Sequence, residues 1–482
     1  MQTSYYPSSR PLMLSETRTL ALASVGGGLE FYDFVIFVFF TAVIGNLFFS
    51  ASLPDWMREI QTFGIFAAGY LARPLGGVVM AHFGDIHGRK RMFSLSILLM
   101  AIPTLLIGCL PTYHEAGVAA PLLLLIMRIL QGVAIGGEAP GGWVFVEEHA
   151  RPQHVGLAIG LLTGGLSLGI LFGSLVAVCL NVRFSQAEIT NGFWRMPFVL
   201  GGVFGFIAMF LRRWLNETPV FEEMRQRAAL SREVPLRTVL KGHRRAVAAS
   251  LISTWMLTAA IVVVILMTPL LLQKFFRIAP REVQIANLVG TAALCISTVA
   301  IGAATDQFGI RRVSIPILLL MIVATYGLYC GAEHAPFVLL PLYALAGLGA
   351  GGVVLTPILM VRAFPPQVRF TGVSFSYNIA YAVFGGLTPL VVSWLARTDK
   401  FSPAHYIAVV TMLGLAATFM TPTAHLRNDE SIASQQDSHE TELPHVSDTL
   451  PVQDVQMADQ LPELQYPPQK AYGDISLESL RS

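Results

Sequence analysis

Charged residues are scarce in this sequence of 482 residues, where Asp, Glu, Lys and Arg together make up 13%. Soluble domains average about 25% charged residues and are less apolar than the 54% found here. This scarcity excludes an ordinary soluble domain. The net charge of +2, without any basic run, gives no indication of nucleic-acid binding. The composition is typical of a protein with many membrane-spanning segments.

Cysteine is rare as well. The four cysteines lie in apolar segments without the spacing of metal ligands, and we interpret them as small core residues: Cys109, Cys179, Cys295 and Cys330. The sequence also lacks a nucleophile with a base, a metal cluster and a cofactor motif, which argues against an enzyme and predicts no metal and no cofactor. Residues 1–18 are polar, and the apolar run after them is too long for a signal peptide, so we expect that run to remain as a membrane span.

Long apolar runs are plentiful. A helix needs about 20 apolar residues to cross the hydrocarbon core of a bilayer. Twelve stretches reach that length, near residues 20–47, 60–81, 92–111, 119–139, 155–180, 195–213, 246–272, 284–304, 313–331, 336–361, 372–396 and 404–423. The longest polar break leaves six stretches on each side. The sequence therefore predicts an all-α polytopic membrane protein with twelve transmembrane helices in two six-helix bundles.

The polar segments divide this arrangement into five predicted regions. These are a cytoplasmic N-terminus at 1–19, an N-terminal bundle at 20–214, a cytoplasmic linker at 215–245, a C-terminal bundle at 246–423 and a cytoplasmic tail at 424–482. The tail is acidic and interrupted by prolines, which indicates disorder.

Lys and Arg are unevenly distributed among the loops. One set of loops carries 17 of them, from Arg89 to Arg369, and the other set carries 8, from Arg58 to Lys400. Positive charge accumulates in cytoplasmic loops. We therefore expect the first set of loops and both termini to lie in the cytoplasm.

A motif of the form D-x-x-G-x-[KR]-R occurs twice, at 85–91 after the second predicted helix and at 306–312 after the eighth. Equivalent positions in two six-helix units indicate pseudo-symmetric halves, as in secondary transporters. With acids at the end of the fourth helix as partners, the motifs predict a cytoplasmic gate at Asp85, Gly88, Arg89, Arg91, Glu147, Asp306, Gly309 and Arg311. The alternative is that these positive charges only determine topology.

Ionisable residues inside the predicted helices are candidate functional groups, because a charge within the bilayer must face protein or water. Glu30 and Asp33 lie roughly 15–20 Å deep at about 1.5 Å per helical residue. Arg73 and Arg128 reach similar depths, so two acids and two arginines are expected to converge. Asp33, Glu30 and Glu138 are proton-coupling candidates, although Glu138 lies nearer the cytoplasm and suits a gate better. The alternative is an ion-pair cluster that only holds the helices together.

The second half has no comparable charges within its helices. It offers polar and aromatic residues in the seventh and eleventh helices, which predict one wall of a cavity, and aromatic helix packing is an equally good interpretation. A charged wall opposite a neutral aromatic wall suits a small anion or zwitterion, because arginine is the usual fork for a carboxylate. The predicted substrate-binding residues are Arg128, Arg73, Tyr377, Asn378, Tyr381 and Trp255.

Several segments, in this order, resemble the metabolite:proton symporter branch of the major facilitator superfamily. They are LEFYDF at 29–34, ARPLGG at 72–77, GDIHGRKR at 84–91, LPTY at 110–113, RILQG at 128–132 with GGE at 136–138, WRMP at 194–197, NETPVFE at 216–222 and FPPQVRFTG at 364–372. The resemblance covers residues 20–423. It implies alternating access and uptake of a small metabolite with a proton. Substrates across the branch are mostly organic acids, such as citrate, 2-oxoglutarate and shikimate, together with proline and betaine.

The sequence departs from this branch near the expected cavity. Phe31 stands where the branch commonly has Trp, and Ala139 with Pro140 replaces the usual Trp-Gly, so the substrate is not carried over. We expect a proton-driven importer of a small carboxylate-bearing metabolite that works as a monomer. The resemblance implies residence in the plasma membrane, here a bacterial inner membrane. The alternatives are an exporter of a metabolite or drug, and a non-transporting sensor that signals through the tail.

Overall fold

The computed structural model describes residues 14–87, 89–150, 152–212, 235–334 and 336–420. The predicted N-terminus and linker lie partly outside these ranges, and the predicted tail at 424–482 lies wholly outside them. The described residues all belong to one compact unit.

Twelve helical segments follow one another along the described chain, and we call them spans 1 to 12. In order they comprise Leu14–Phe39 with Thr41–Phe48; Asp55–His87; Arg89–Ile107; Ala119–Gly136 with Glu138–His149; Val155–Arg183; Met196–Arg212; Arg244–Ala259 with Thr268–Phe275; Pro280–Phe308; Ile310–His334; Leu339–Ala350 with Leu355–Ala363; Pro366–Ala380 with Gly386–Leu395; and Ser402–Met420. The described residues contain no β-strand.

Most of these segments are long and apolar enough to cross a membrane. Nine helices of the described chain meet this condition, and the bent pair in span 1 makes a tenth. Spans 2 and 3, with helices of 33 and 19 residues, complete the set of twelve. The predicted all-α membrane fold is confirmed.

The helices are less regular in the first and fourth spans of each half and in span 11. Span 1 bends by 63° next to Phe40, span 4 is interrupted at Gly137, and span 10 contains a tight turn at Gly351–Val354. Span 7 widens into π-helical turns at Ala260–Met267, and span 11 does the same at Tyr381–Gly385. Irregular backbone at membrane depth is tolerated where it is buried in protein or lines a cavity. These spans are therefore expected to face the interface between the halves.

The two halves meet in a symmetric way. Span 2 contacts span 11, and span 5 contacts span 8. Spans 8 and 11 are the second and fifth of their half, so the second span of each half packs against the fifth span of the other. Glycines allow a close approach between spans 5 and 8, where Gly156 and Gly160 face Gly302.

Two sequence expectations need correction. Several helices run beyond the apolar stretches that predict them, because polar residues at both ends continue the backbone hydrogen bonding; span 2, for example, covers 55–87 rather than 60–81. The cysteines are not all core residues either. Cys295 is buried, but Cys109, Cys179 and Cys330 are exposed at the protein surface. An apolar environment in the sequence does not distinguish the protein core from the surface that faces lipid.

The glycine contact between spans 5 and 8 can be tested by Gly302→Ala. A Cβ atom at this position would overlap the backbone carbonyl oxygen of Gly156, so the two spans would have to separate. We expect a destabilisation of about 1–3 kcal/mol, measured as a lower melting temperature of the purified protein. Gly64→Ala is the matched control, because a Cβ atom there meets nothing within 4 Å. Equal melting temperatures for the two variants would contradict this contact.

Candidate functional site

Arg73 of span 2 is enclosed by aromatic rings from both halves of the molecule. Its side chain is fully buried. The guanidinium carbon lies 4.1 Å from the ring centre of Tyr381, 5.2 Å from that of Tyr377 and 5.6 Å from that of Tyr70. A cation over an aromatic face contributes about 2 kcal/mol or more when it is shielded from water. The structure thus brings Arg73 together with two of the predicted residues of span 11.

Helical spacing explains how this enclosure forms. Tyr377 and Tyr381 are four residues apart and therefore share one face of span 11. Tyr70 precedes Arg73 by three residues and stacks on Tyr381, with ring centres 5.6 Å apart. Trp143 of span 4 packs edge-on against Tyr377 at 4.9 Å. Rings from spans 2, 4 and 11 therefore hold one another around the guanidinium group.

Asn378, the third predicted residue of span 11, joins the halves through a hydrogen bond. Its Nδ2 donates to the carbonyl oxygen of Gly136 over 2.6 Å, and also to the carbonyl oxygen of Ser374 over 2.9 Å. The approach requires a glycine on the opposite side, because a Cβ atom at Gly77 would lie 2.7 Å from the amide nitrogen. The accepting residue, Gly136, lies at the interruption of span 4, two residues before the buried Glu138.

Arg128 of span 4 is also fully buried and also lies over aromatic rings. Its guanidinium carbon is 4.4 Å from the ring centre of Phe37 and 5.5 Å from that of Phe66. Its Nη1 donates to Oε1 of Gln131 over 2.9 Å, and Gln131 Nε2 donates to Oγ1 of Thr104 over 2.7 Å. The sequence analysis missed Gln131 and Thr104, because neutral polar residues in a helix give no charge signal.

Asp33 is buried, with 1% of its surface exposed, and faces spans 3 and 6. Neither carboxyl oxygen of Asp33 has a hydrogen-bond partner within the described residues. The described contacts therefore form two groups: Arg73 with the tyrosines, and Arg128 with Gln131 and Thr104, beside Asp33. The side chain of Glu30 lies outside the described part of the structure.

Trp255, the predicted residue of span 7, has contacts within the second half. Its indole Nε1 donates to the hydroxyl oxygen of Tyr406 over 2.7 Å, and its ring stacks on Phe384 at 4.3 Å. Tyr406 also bonds to Thr388 of span 11 over 2.7 Å. These contacts assign Trp255 to a packing cluster of spans 7, 11 and 12, apart from the rings around Arg73.

The second copy of the repeated motif connects the halves at the predicted cytoplasmic side. Oδ1 and Oδ2 of Asp306 accept hydrogen bonds from the backbone N–H groups of Gly156 and Leu157, each over 2.7 Å. These groups belong to the first turn of span 5, where a helix has unpaired donors and a positive partial charge. Gly309 ends span 8 with a φ of 79°, a conformation that glycine adopts readily. The guanidinium carbon of Arg311 lies 5.7 Å from the ring centre of Phe419.

Glu147, the predicted partner acid, forms an ion pair with Arg369 at the start of span 11. Both side chains are mostly buried, and the pair links the two halves. The sequence analysis had counted Arg369 only among the loop charges. Of the first motif copy, Gly88 and the side chains of Asp85, Arg89 and Arg91 lie outside the described residues.

The halves also touch at the opposite side. Lys274 of span 7 pairs with Glu59 of span 2 over 2.7 Å. Nearby, a cavity of about 160 Å³ lies between spans 1, 5, 7 and 8. Its polar lining comprises Thr41, Ser174, Asn181, Gln186, Gln273, Gln284 and Asn287. The cavity is uncharged, and no sequence signal pointed to it.

No group of three His, Cys, Asp or Glu side chains within the described ranges is arranged to hold a metal ion.

Comparison with known proteins gives a consistent result. The sequence model of the Major Facilitator Superfamily matches residues 35–277. The citrate-proton symporter of Klebsiella pneumoniae is 30% identical over 399 residues, which are 82% of this chain and 89% of that protein. A candidate proline/betaine transporter of Staphylococcus haemolyticus (strain JCSC1435) is 30% identical over 404 residues, covering 82% and 86%. The inner membrane metabolite transport protein YhjE of Escherichia coli (strain K12) is 29% identical over 419 residues, covering 84% and 94%.

Solved structures share the fold. The proton:xylose symporter XylE bound to 6-bromo-6-deoxy-D-glucose aligns with a TM-score of 0.67 at 15% identity, covering 84% of this chain and 94% of that one. The xylose transporter XylE from E. coli in a partially occluded inward open conformation aligns with a TM-score of 0.66 at 15% identity, covering 84% and 96%. At this level of identity the similarity concerns the arrangement of helices alone.

The ion pair between Glu147 and Arg369 predicts a charge-reversal result. Glu147→Arg or Arg369→Glu alone places like charges in a mostly buried pair, so each should lower the melting temperature. The double variant restores opposite charges and should recover about 0.5–3 kcal/mol of coupling. The pair of Asp55 and Arg58 is the control, because Asp55 is 93% exposed and reversing an exposed pair changes stability by at most about 1 kcal/mol. Additive effects of the two reversals at 147 and 369 would contradict the pair.

Proposed function

Because this chain belongs to the major facilitator superfamily, we propose that it imports a small carboxylate-bearing metabolite together with a proton. It is an integral membrane transporter and not an enzyme. The observation that carries the proposal is the enclosure of Arg73 by tyrosines from the opposite half. A ligand bound at this arginine would lie where both halves contact it.

The geometry of the guanidinium group favours a carboxylate. Aromatic ring centres lie within 5.6 Å of the guanidinium carbon of Arg73, and a carboxylate would bind to the N–H groups of this planar fork. Charge-assisted bonds of this kind are roughly twice as strong as neutral ones. Because Tyr377 and Tyr381 belong to span 11, a ligand at Arg73 would alter the contact between spans 2 and 11. Substrate binding is thereby connected to the rearrangement of the halves.

The named relatives support the same chemistry. Citrate, proline and betaine each carry a carboxylate group, and they occur in the names of two of the similar proteins. Xylose has no carboxylate, but the xylose transporter shares only the fold with this chain. A carboxylate is therefore the chemical feature that we assign to the substrate.

The proton site in this proposal is Asp33. It is a buried carboxyl group without an ion pair in the described residues, so its charge state can change without breaking a salt bridge. Glu138 and Glu30 are the further carboxyl groups of the first half. The proton gradient supplies the driving force, and the protein acts as a monomer in an inner membrane with both termini in the cytoplasm.

Reconstitution tests this function. Proteoliposomes containing the purified protein are supplied with labelled citrate, proline, glycine betaine or xylose, with and without an inward proton gradient. We expect accumulation of at least one carboxylate solute that increases with the gradient, and none of xylose. Equal uptake with and without the proton gradient would refute coupling of transport to protons. Faster accumulation into inside-out vesicles driven by an opposite gradient would indicate an exporter instead.

Arg73→Gln tests the carboxylate site. Removing a buried charged partner costs about 2–5 kcal/mol, so KM for the transported solute should rise about 30-fold or more. Arg73→Lys keeps the charge but loses the planar fork. Its KM should lie between that of the unsubstituted protein and that of Arg73→Gln. Arg397→Gln, at an exposed position of the chain, is the control and should leave KM unchanged. An unchanged KM in Arg73→Gln would exclude this arginine from the site.

Asp33→Asn tests the proton site. Asparagine has a similar shape but cannot release a proton, so gradient-driven accumulation should fall by about two orders of magnitude. Exchange of labelled for unlabelled solute at equal pH requires no net proton movement and should remain. Accumulation that survives in Asp33→Asn would show that the proton binds elsewhere.

A further inference from the structure

A continuous hydrogen-bonded chain joins spans 3 and 4 beside Asp33. Arg128 Nη1 donates to Gln131 Oε1 over 2.9 Å, and Gln131 Nε2 donates to Thr104 Oγ1 over 2.7 Å. All three side chains are fully buried. The two members between the arginine and the aspartate, Gln131 and Thr104, are neutral.

Chemistry determines the direction of every bond in this chain. Arginine only donates, so the oxygen of the Gln131 amide faces Arg128 and its nitrogen faces Thr104. The Thr104 hydroxyl therefore accepts a bond from Gln131, and its single proton is given to another acceptor. In this structure that acceptor is the carbonyl oxygen of Met100, 2.8 Å away. A hydroxyl has two lone pairs, so one remains for another donor.

Asp33 lies next to the side chain of Thr104. A Cβ atom on Gly201 would lie 2.6 Å from Oδ1 of Asp33 and 2.8 Å from the methyl group of Thr104, so both side chains border the same small space. Neither oxygen of the Asp33 carboxyl group has a hydrogen-bond partner within the described residues, so this group has capacity for a bond to Thr104. Because Asp33 is 1% exposed, its hydrogen bonds have to come mainly from protein groups.

From this arrangement we infer that Thr104 and Gln131 transmit the protonation state of Asp33 to the arginine of span 4. The inference rests on the proposed function, in which Asp33 binds the transported proton. A protonated Asp33 donates its O–H to the second lone pair of the Thr104 hydroxyl, which continues to donate its own hydrogen bond to the carbonyl oxygen of Met100. An ionised Asp33 can only accept hydrogen bonds. The Thr104 hydroxyl group therefore rotates, so that it donates to the carboxylate instead of to the carbonyl oxygen of Met100. Thr104 and Gln131 are thus positioning residues.

Rotation of one hydroxyl group changes the bonds along the rest of the chain. A hydroxyl that donates to a carboxylate is a stronger acceptor, which strengthens the bond from Gln131 and, through its amide, the bond from Arg128. Arg128 lies over Phe37 of span 1 and Phe66 of span 2. Its position is therefore coupled to the packing of spans 1 and 2.

Within the described part of the structure, few ionisable groups lie near Asp33. Span 6 presents glycines towards the carboxyl group, and span 3 presents Thr104. The ionisable side chains around Asp33 that the structure describes are Tyr32, its neighbour in span 1, and Arg128, which is reached through Gln131. Tyr32 donates its own proton to the carbonyl oxygen of a span 6 residue over 3.0 Å. Thr104 is thus the group whose proton can follow the charge of Asp33.

Three substitutions test the chain in proteoliposomes. Thr104→Val removes the hydroxyl group with little change in shape, and Thr104→Ser retains it. Thr325→Val is the matched control, because Thr325 is buried in span 9, the counterpart of span 3, and bonds in the same way to the carbonyl oxygen of Met321 over 2.7 Å. Labelled citrate, proline and glycine betaine are assayed for gradient-driven accumulation and for exchange at equal pH.

We expect Thr104→Val to reduce gradient-driven accumulation about tenfold or more and to shift the pH dependence of exchange, with the maximal exchange rate retained. Thr104→Ser and Thr325→Val should behave as the unsubstituted protein. Undiminished accumulation in Thr104→Val would overturn the inference. A parallel loss of accumulation and maximal exchange would overturn it too, because it indicates a purely structural role. If the unsubstituted protein accumulates none of the solutes with the gradient, the proposed function fails and this inference fails with it.

Infrared difference spectra recorded during a pH titration provide a readout that needs no solute. The carbonyl stretching band of protonated Asp33 is identified by its absence in Asp33→Asn. Because loss of a hydrogen bond raises this frequency, the band should move upwards in Thr104→Val and stay in place in Thr325→Val. A band that is unshifted in Thr104→Val would show that the hydroxyl does not contact the carboxyl group.

Discussion

A guanidinium group inside a bilayer has to be surrounded by protein, and this requirement determines how the two halves of the molecule meet. Arg73 comes from the first half, but two of the rings around it come from span 11 of the second half. Asn378, next to one of those rings, bonds to the interrupted backbone of span 4. The contact that stabilises the buried charge is therefore the same contact that must loosen when the transporter opens.

Asp33 and Arg128 do not form an ion pair with each other in the described part of the structure. An ion pair between them at low dielectric would be strong, and a carboxylate held so tightly would release and bind protons poorly. Two neutral side chains stand between them instead, and each forms a directed hydrogen bond. The arrangement lets the aspartate change its charge while the arginine stays hydrogen-bonded. Arg128 and Arg73 thus lie against neighbouring rings of span 2, Phe66 and Tyr70, which contact each other.

The number and type of helices could be predicted from the sequence because membrane crossing requires a fixed apolar length. The enclosure of Arg73 could be anticipated in part, because Tyr377 and Tyr381 share a helical face. The partner of Glu147 could not, since Arg369 is 222 residues away and no local pattern encodes that pairing. Gln131 and Thr104 were missed because only the donor and acceptor directions in three dimensions give them a role. Which groups the four expected charges contact likewise depends on helix rotations, which depth along the helices does not reveal.

The central claim is that a carboxylate binds at Arg73 between the halves. Ligand-dependent thermal stabilisation of the purified protein measures this binding directly, since a ligand of the native state raises the melting temperature. Citrate, proline and glycine betaine are compared with amide or ester analogues that lack the free carboxylate. We expect that at least one of the three acids raises the melting temperature, that its analogue does not, and that Arg73→Gln abolishes the effect. Equal stabilisation by an acid and its uncharged analogue, or full stabilisation of Arg73→Gln, would contradict the central claim.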